Sequence, residues 1–172
     1  APPMHMEIQR SMVMKNSPSI PAAINAAAEM PWETLLANSN LISIKDRDLV
    51  SDALLVAMAQ MRPCRLTAVD KVGCYKTRQF GFLGFCCKHC GGQPGFGRYF
   101  PNTVRSLAQT TTSQTILKHV AGKCQCTPVH IRNTIISLQN LQSSKEQGNA
   151  MSGRPRYGSR KIFFQRVWSR LH

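Results

Sequence analysis

Apolar positions set the first expectations for this chain. Trp32, Leu35 and Leu36 fall at i, i+3 and i+4 behind Pro31, which suits the first position of a helix, and Glu33 adds an acid to the first turn. From Asp46 to Met61, the residues Leu49, Val50, Ala53, Leu54, Ala57, Met58 and Met61 make a continuous helical stripe. Asp46 or Asp48 suits the cap of that helix and Pro63 its end. The stripe predicts a packed core helix, with a Met-lined partner groove as its other reading. Residues 64–80 are short, basic and without a clear period. Thr67-Ala68-Val69-Asp70 has capping-box spacing there, which predicts one short helix.

The texture then changes. Phe80-Gly81-Phe82-Leu83-Gly84-Phe85-Cys86 reads as a glycine-interrupted strand, and Phe96-Gly97-Arg98-Tyr99-Phe100 as its return strand, stopped by Pro101. Thr111 to Val120 predicts a helix with Ile116, Leu117 and Val120 facing inward. Thr127-Pro128 looks like an N-cap and first position for another, with Ile131, Ile135, Leu138 and Leu141 on one face. Ser143 to Gly153 is polar and reads as a linker or exposed loop. Ser159 is placed to cap a final amphipathic helix carrying Phe164, Val167, Trp168 and Leu171 on one side. Arg160, Lys161, Arg166 and Arg170 flank that stripe, so the helix is expected to pack with its arginines in solvent; a partner-docking helix is the other reading. Residues 1–30, rich in Met, Pro, Ser and Ala, form no period and read as a flexible leader, including Met4-His5-Met6.

Charge changes the picture more than composition does. A chain of 172 residues with 42% hydrophobic content suits one domain or two small ones. Its net charge of +14 is unevenly placed. Residues 1–60 hold four Lys/Arg and six Asp/Glu, whereas residues 61–172 hold 18 Lys/Arg against Asp70 and Glu146 alone. The second part is therefore a polyanion attractor, and nucleic acid is the expected partner, DNA before RNA. No apolar run approaches the length of a membrane span, so no membrane partner is expected. Seven cysteines cannot all pair as disulfides, which favours a reducing compartment; we expect the nucleus.

The chemistry gathers at four residues. Cys87-x2-Cys90 is followed, after 28 intervening residues, by His119-x4-Cys124. Two thiolates from a tight turn and a His/Cys pair from a helix end can converge as the ligands of a closed tetrahedral zinc site. Gly91-Gly92 lets the backbone turn sharply behind the first pair. Cys126 rivals Cys124 as fourth ligand, and Cys86 and His89 are weaker rivals in the first pair; His89 is expected to face solvent or DNA. Cys64 and Cys74 are read as buried structural thiols. The fold class expected is α+β, mostly helical: a zinc-bound β-hairpin-plus-helix finger flanked by amphipathic helices. Its parts are a leader at 1–30, a helical segment at 31–79, the finger at 80–126, a helix at 127–146, a linker at 147–158 and a basic amphipathic helix at 159–172.

Cys87-Lys88-His89-Cys90, the segment Thr111 to His119 and the closing Cys124 resemble a BED-type zinc finger, over about residues 80–126. Phe82 and Phe85 match the aromatic residues that precede the first cysteines in that family. The stretch Gly91 to Cys124 and the end Arg156 to His172 also resemble segments of uncharacterised algal zinc-finger-like proteins, a likeness that brings no function with it. The first resemblance implies DNA binding through the finger helix in the major groove. By analogy with zinc-finger helices, Thr112, Gln114, Thr115 and Lys118 are then base-facing; Gln suits adenine and Lys guanine. Lys88, Arg98, Arg105 and Lys123 need only charge and reach to contact phosphates. One finger is a weak DNA ligand, and Gly153-Arg154-Pro155-Arg156 resembles the Gly-Arg-Pro core of an AT-hook, which would make Arg154 and Arg156 further DNA contacts; a basic connecting loop, with Ser152 where an AT-hook has Arg, is the other reading.

An enzyme is not expected. Zinc deaminases need His-x-Glu with Pro-Cys-x2-Cys. Here His5-Met6-Glu7 lies in the leader, and Pro63-Cys64 has Thr67 where the second Cys belongs. Two acids in residues 61–172 leave almost no carboxylate pairs, and four protein ligands leave zinc no position for a catalytic water. The expected function is a zinc-finger DNA-binding protein of transcription or chromatin. The alternative is a zinc-stabilised protein-interaction or RNA-binding module without duplex-DNA specificity.

Overall fold

A computed structural model describes residues 31–93, 96–148 and 158–172. The expected leader, with Met4-His5-Met6, and the tail contacts Arg154 and Arg156 lie outside the described residues.

The first helix, α1, is a single turn, Trp32–Leu35, with Pro31 at its N-cap rather than inside it. The single helix expected over 46–61 is instead three elements. Ile44–Asp46 forms a 3-10 turn closed by a capping box, in which the Ser43 N–H donates to Asp46 Oδ2 at 2.9 Å. The helix α2 begins only at Asp52 and runs to Ala59, with the Leu54 N–H donating to Ser51 Oγ at 3.3 Å. Asp46 is consumed by the earlier turn, so Ser51 supplies the cap. Met61 and Pro63 then belong to strand β1, Met61–Arg65. Among the described residues β1 pairs only with β2, and such an edge strand tolerates a proline that has no N–H to give.

Every residue of α2 from Ala53 to Ala59 is buried, so this helix is the centre of the fold rather than an amphipathic face. It packs against β1, α4 (Thr110–Lys118) and α5 (Val129–Gly148). The sheet is antiparallel in the order β1-β2-β3, with β2 at Leu83–Cys87 and β3 at Arg98–Tyr99. Gly84 lets β3 close in: a Cβ there would collide with the Tyr99 carbonyl and the Phe100 ring. The hairpin of the expected finger is therefore present, but β1 joins it from the segment assigned to 31–79. The connection after β1 carries the expected capping box, with the Thr67 N–H donating to Asp70 Oδ2 at 2.8 Å.

After β3 come α3, Val104–Leu107, then α4 and a π turn, His119–Lys123, that continues it. Helix α5 runs to Gly148, so the linker expected from 147, with polar onset at Ser143, starts as helix. Ser143 and Ser144 fit there because their hydroxyls donate back to the Gln139 and Asn140 carbonyls. The last helix, α6, is Ser159–Leu171; Gly158, at φ 87°, holds the N-cap, and Ser159 is already helical and buried.

Helix α6 buries Phe163, Phe164, Val167 and Leu171 in the same core as α2 and the sheet. Its arginines are not free in solvent, as the sequence suggested, because the fold offers them acceptors. Arg160 donates from Nε to the Ala108 carbonyl at 3.1 Å and from Nη2 to Ser113 Oγ at 2.6 Å. Arg166 and Arg170 close on Asp46, at 3.1 Å and 2.6 Å, and the Asp46 carboxylate is wholly buried. The two ends of the described chain are thus tied by ion pairs more than 110 residues apart in sequence.

Candidate metal centre

Cys87 closes strand β2, and its carbonyl accepts the Gly91 N–H at 2.8 Å, forming the tight turn that swings Cys90 back beside it. His119 stands where α4 passes into the π turn. That turn carries the Cys124 N–H onto the His119 carbonyl at 2.8 Å, five residues back, and brings the Cys124 side chain to the same point. The donor atoms of Cys87, Cys90, His119 and Cys124 all lie within 4.8 Å of one another. Cys87, His119 and Cys124 are buried, and Cys90 is half-buried.

The spacing fits a tetrahedral ion. With Zn–S of about 2.3 Å and Zn–N of about 2.0–2.1 Å, a regular tetrahedron has S–S edges of about 3.8 Å and S–N edges of about 3.6 Å. Cys87 Sγ and Cys124 Sγ are 3.9 Å apart, and Cys90 Sγ and His119 Nε2 are 3.4 Å apart. A disulfide would need about 2.05 Å. The Gly92 N–H donates to Cys90 Sγ at 3.3 Å, which favours the thiolate.

The electrostatics without a cation are unfavourable to charge. Burial pushes the Cys87 thiol up to about 12, against a smaller opposing pull from the Cys90 and His89 backbone N–H groups. Burial also raises Cys90, and it lowers His119, with Lys123 adding to the effect. Burial acts upward on Cys124 too, but hydrogen bonds from around it, including the Cys126 backbone N–H, bring it below its usual value. Three sulfurs and an imidazole packed this tightly could hold a divalent cation, whose binding would release thiol protons.

The rivals fall away by position. Cys126 is exposed and outside the cluster, so Cys124 is the fourth donor. His89 is half-buried rather than fully turned to solvent, with its Nε2 2.8 Å from Oε1 of the buried Gln60. Cys86 alternates to the other face of β2, where the neighbouring Cys64 thiol pulls it below the usual thiol range. Cys64 is half-buried, and Cys74, expected to be buried, is exposed.

Gly97 was not singled out by the sequence, although it sits against the site. Its φ is +75°, and a Cβ there would come 2.7 Å from the His119 ring. Phe96 meets that ring edge-on at 4.5 Å between centroids. Gly97→Ala is therefore expected to displace His119 and weaken metal affinity at least tenfold, on the order of the loss seen when a supporting outer-shell group goes. A zinc(II) titration against a chromophoric chelator reads this; unchanged affinity would contradict it.

The expected DNA contacts divide. Arg105, Gln114, Thr115, Lys118 and Lys123 are exposed. Thr112 is half-buried and its hydroxyl donates to the Ser106 carbonyl at 3.1 Å. Lys88 is half-buried, with Nζ 3.4 Å from the Ala37 carbonyl. Arg98 forms a two-pronged pair with Asp70, Nε to Oδ1 at 2.7 Å and Nη2 to Oδ2 at 2.9 Å, so its charge is met inside the fold. No family model, curated protein or solved structure matches this chain.

Proposed function

We propose that this chain is a DNA-binding domain of zinc-finger type, built on one structural zinc held by Cys87, Cys90, His119 and Cys124, and that it serves transcription or chromatin. Three thiolates and an imidazole in a closed tetrahedron suit zinc and leave no open position for catalysis.

The observation that carries the reading is the solvent face of α4. Ser113, Ile116, His119 and Val120 turn inward, while Thr111, Gln114, Thr115 and Lys118 turn outward. No acid lies on this helix, Arg105 precedes it and Lys123 follows it. The metal would fix the end of the helix through His119, presenting side chains able to read bases between cations able to hold phosphates.

A salt titration of binding to duplex DNA tests the proposal. The association constant should fall linearly on logarithmic axes, with a slope of about −0.9 per phosphate neutralised. Gln114→Ala should flatten the preference among selected duplexes without altering that slope. A folded, zinc-loaded protein that binds no duplex at low salt would sink the proposal, the result a protein-interaction module gives.

A further inference from the structure

The π turn does more than bring Cys124 to the metal. Residues five apart on an α-helix point about 140° away from each other. Bonding from i to i+5 widens the turn, and such residues come round to within about 50°. Lys118 and Lys123 are five apart across this turn, and both line one open groove of about 350 Å³. Leu117 and Ala121 supply its apolar wall, Gln139 of α5 contributes an amide, and Gly122 leaves the space clear. A Cβ built on Gly122 meets nothing within 4 Å. No acid lines the groove.

We propose that this groove binds one unpaired nucleotide of a nucleic-acid strand. The two ammonium groups hold its phosphate, Leu117 and Ala121 take the face of the base, and the Gln139 amide meets a base edge. Only a base that has left its stack can reach an apolar wall, whereas phosphate contacts alone need no groove. The volume is at the small end of the range for ligand sites, and its openness suits a strand passing across it. The proposal rests on the nucleic-acid reading above and adds to it a preference for unpaired ends. It also removes Lys118 from base reading and makes it half of a phosphate clamp.

The test uses the full zinc-loaded chain and fluorescence anisotropy. Its probes are a blunt duplex and the same duplex with a short single-stranded overhang. Thymidine monophosphate serves as competitor. The overhang should be bound about tenfold more tightly, with a salt slope steeper by about one for each phosphate gained. Gly122→Leu, which fills the groove, should abolish that preference while zinc content and blunt-duplex affinity hold. Gln139→Ala should reduce the preference and serves if Gly122→Leu fails to fold. Lys118→Gln with Lys123→Gln should remove it and lower blunt binding as well. Equal wild-type binding of the two probes overturns the inference, as does a preference that survives both Gly122→Leu and Gln139→Ala. Displacement by micromolar thymidine monophosphate overturns it in favour of a free nucleotide. Loss of blunt binding with the overhang preference intact overturns the duplex reading instead.

Discussion

Chelating the zinc is expected to unfold the domain, with loss of the helical circular dichroism signal and of cooperative melting. Cys87 ends strand β2 and Cys90 lies in the turn after it, while His119 and Cys124 belong to the α4–α5 connection, so an ion held by all four would join two parts of the core. Structural zinc supplies about 10–16 kcal/mol in finger peptides. Whole domains are stable by only about 5–15 kcal/mol. Losing a structural ion of this kind would therefore remove stability comparable with that of a whole domain. Cys87→Ser should do the same, whereas Cys126→Ser, at an exposed thiol outside the cluster, should leave the melting temperature unchanged. Acid should mimic chelation, because the buried thiols regain their protons as pH falls and release the ion. A chain that stays folded and cooperative in excess chelator would contradict this.

The second large effect is expected at Asp46. Its carboxylate is fully buried and meets Arg170, Arg166 and the Ser43 N–H. Breaking a buried ion pair from one side costs about 3–5 kcal/mol. Arg166 and Arg170 keep 45% and 29% of their side-chain surface in solvent, which lets them rehydrate and places Asp46→Asn at about 3 kcal/mol, the low end. Burial alone would raise the Asp46 pKa, but the hydrogen bonds from Arg170, Ser43 and Arg166 outweigh it and hold it below its ordinary value. A depressed folded pKa gives stability that is present above the unfolded value of about 3.9 and lost as pH falls through the folded value. Urea unfolding of the metal-loaded chain at pH 7, above both values, should therefore place the Asp46→Asn midpoint well below that of wild type. An unchanged midpoint would show that the charge is not the source.

Local rules explain what the sequence made legible. Cys-x2-Cys and His-x4-Cys describe one turn each, and the helix and strands around them follow from neighbours in sequence. The choice of Cys124 over Cys126 needed the π turn, which no periodicity announces. The break in the 46–61 stripe was hidden because Leu49 and Val50 keep helical spacing while packing from a turn into the same core. Strand β1 was masked by Pro63, which argues against a strand unless the strand lies at an edge. Pairings such as Asp46 with Arg166 and Arg170, or Asp70 with Arg98, depend on tertiary approach, and charge runs alone made those arginines look free. Gly97 matters through a ring 22 positions away, so only the fold could reveal it.

Zinc-edge X-ray absorption on the purified chain, with metal content measured alongside, tests the central claim most directly. One zinc per chain, with three sulfur neighbours at about 2.3 Å and one nitrogen at about 2.0 Å, is the result predicted. Two or fewer sulfurs, an oxygen from water in the first coordination sphere, or no bound metal would contradict it.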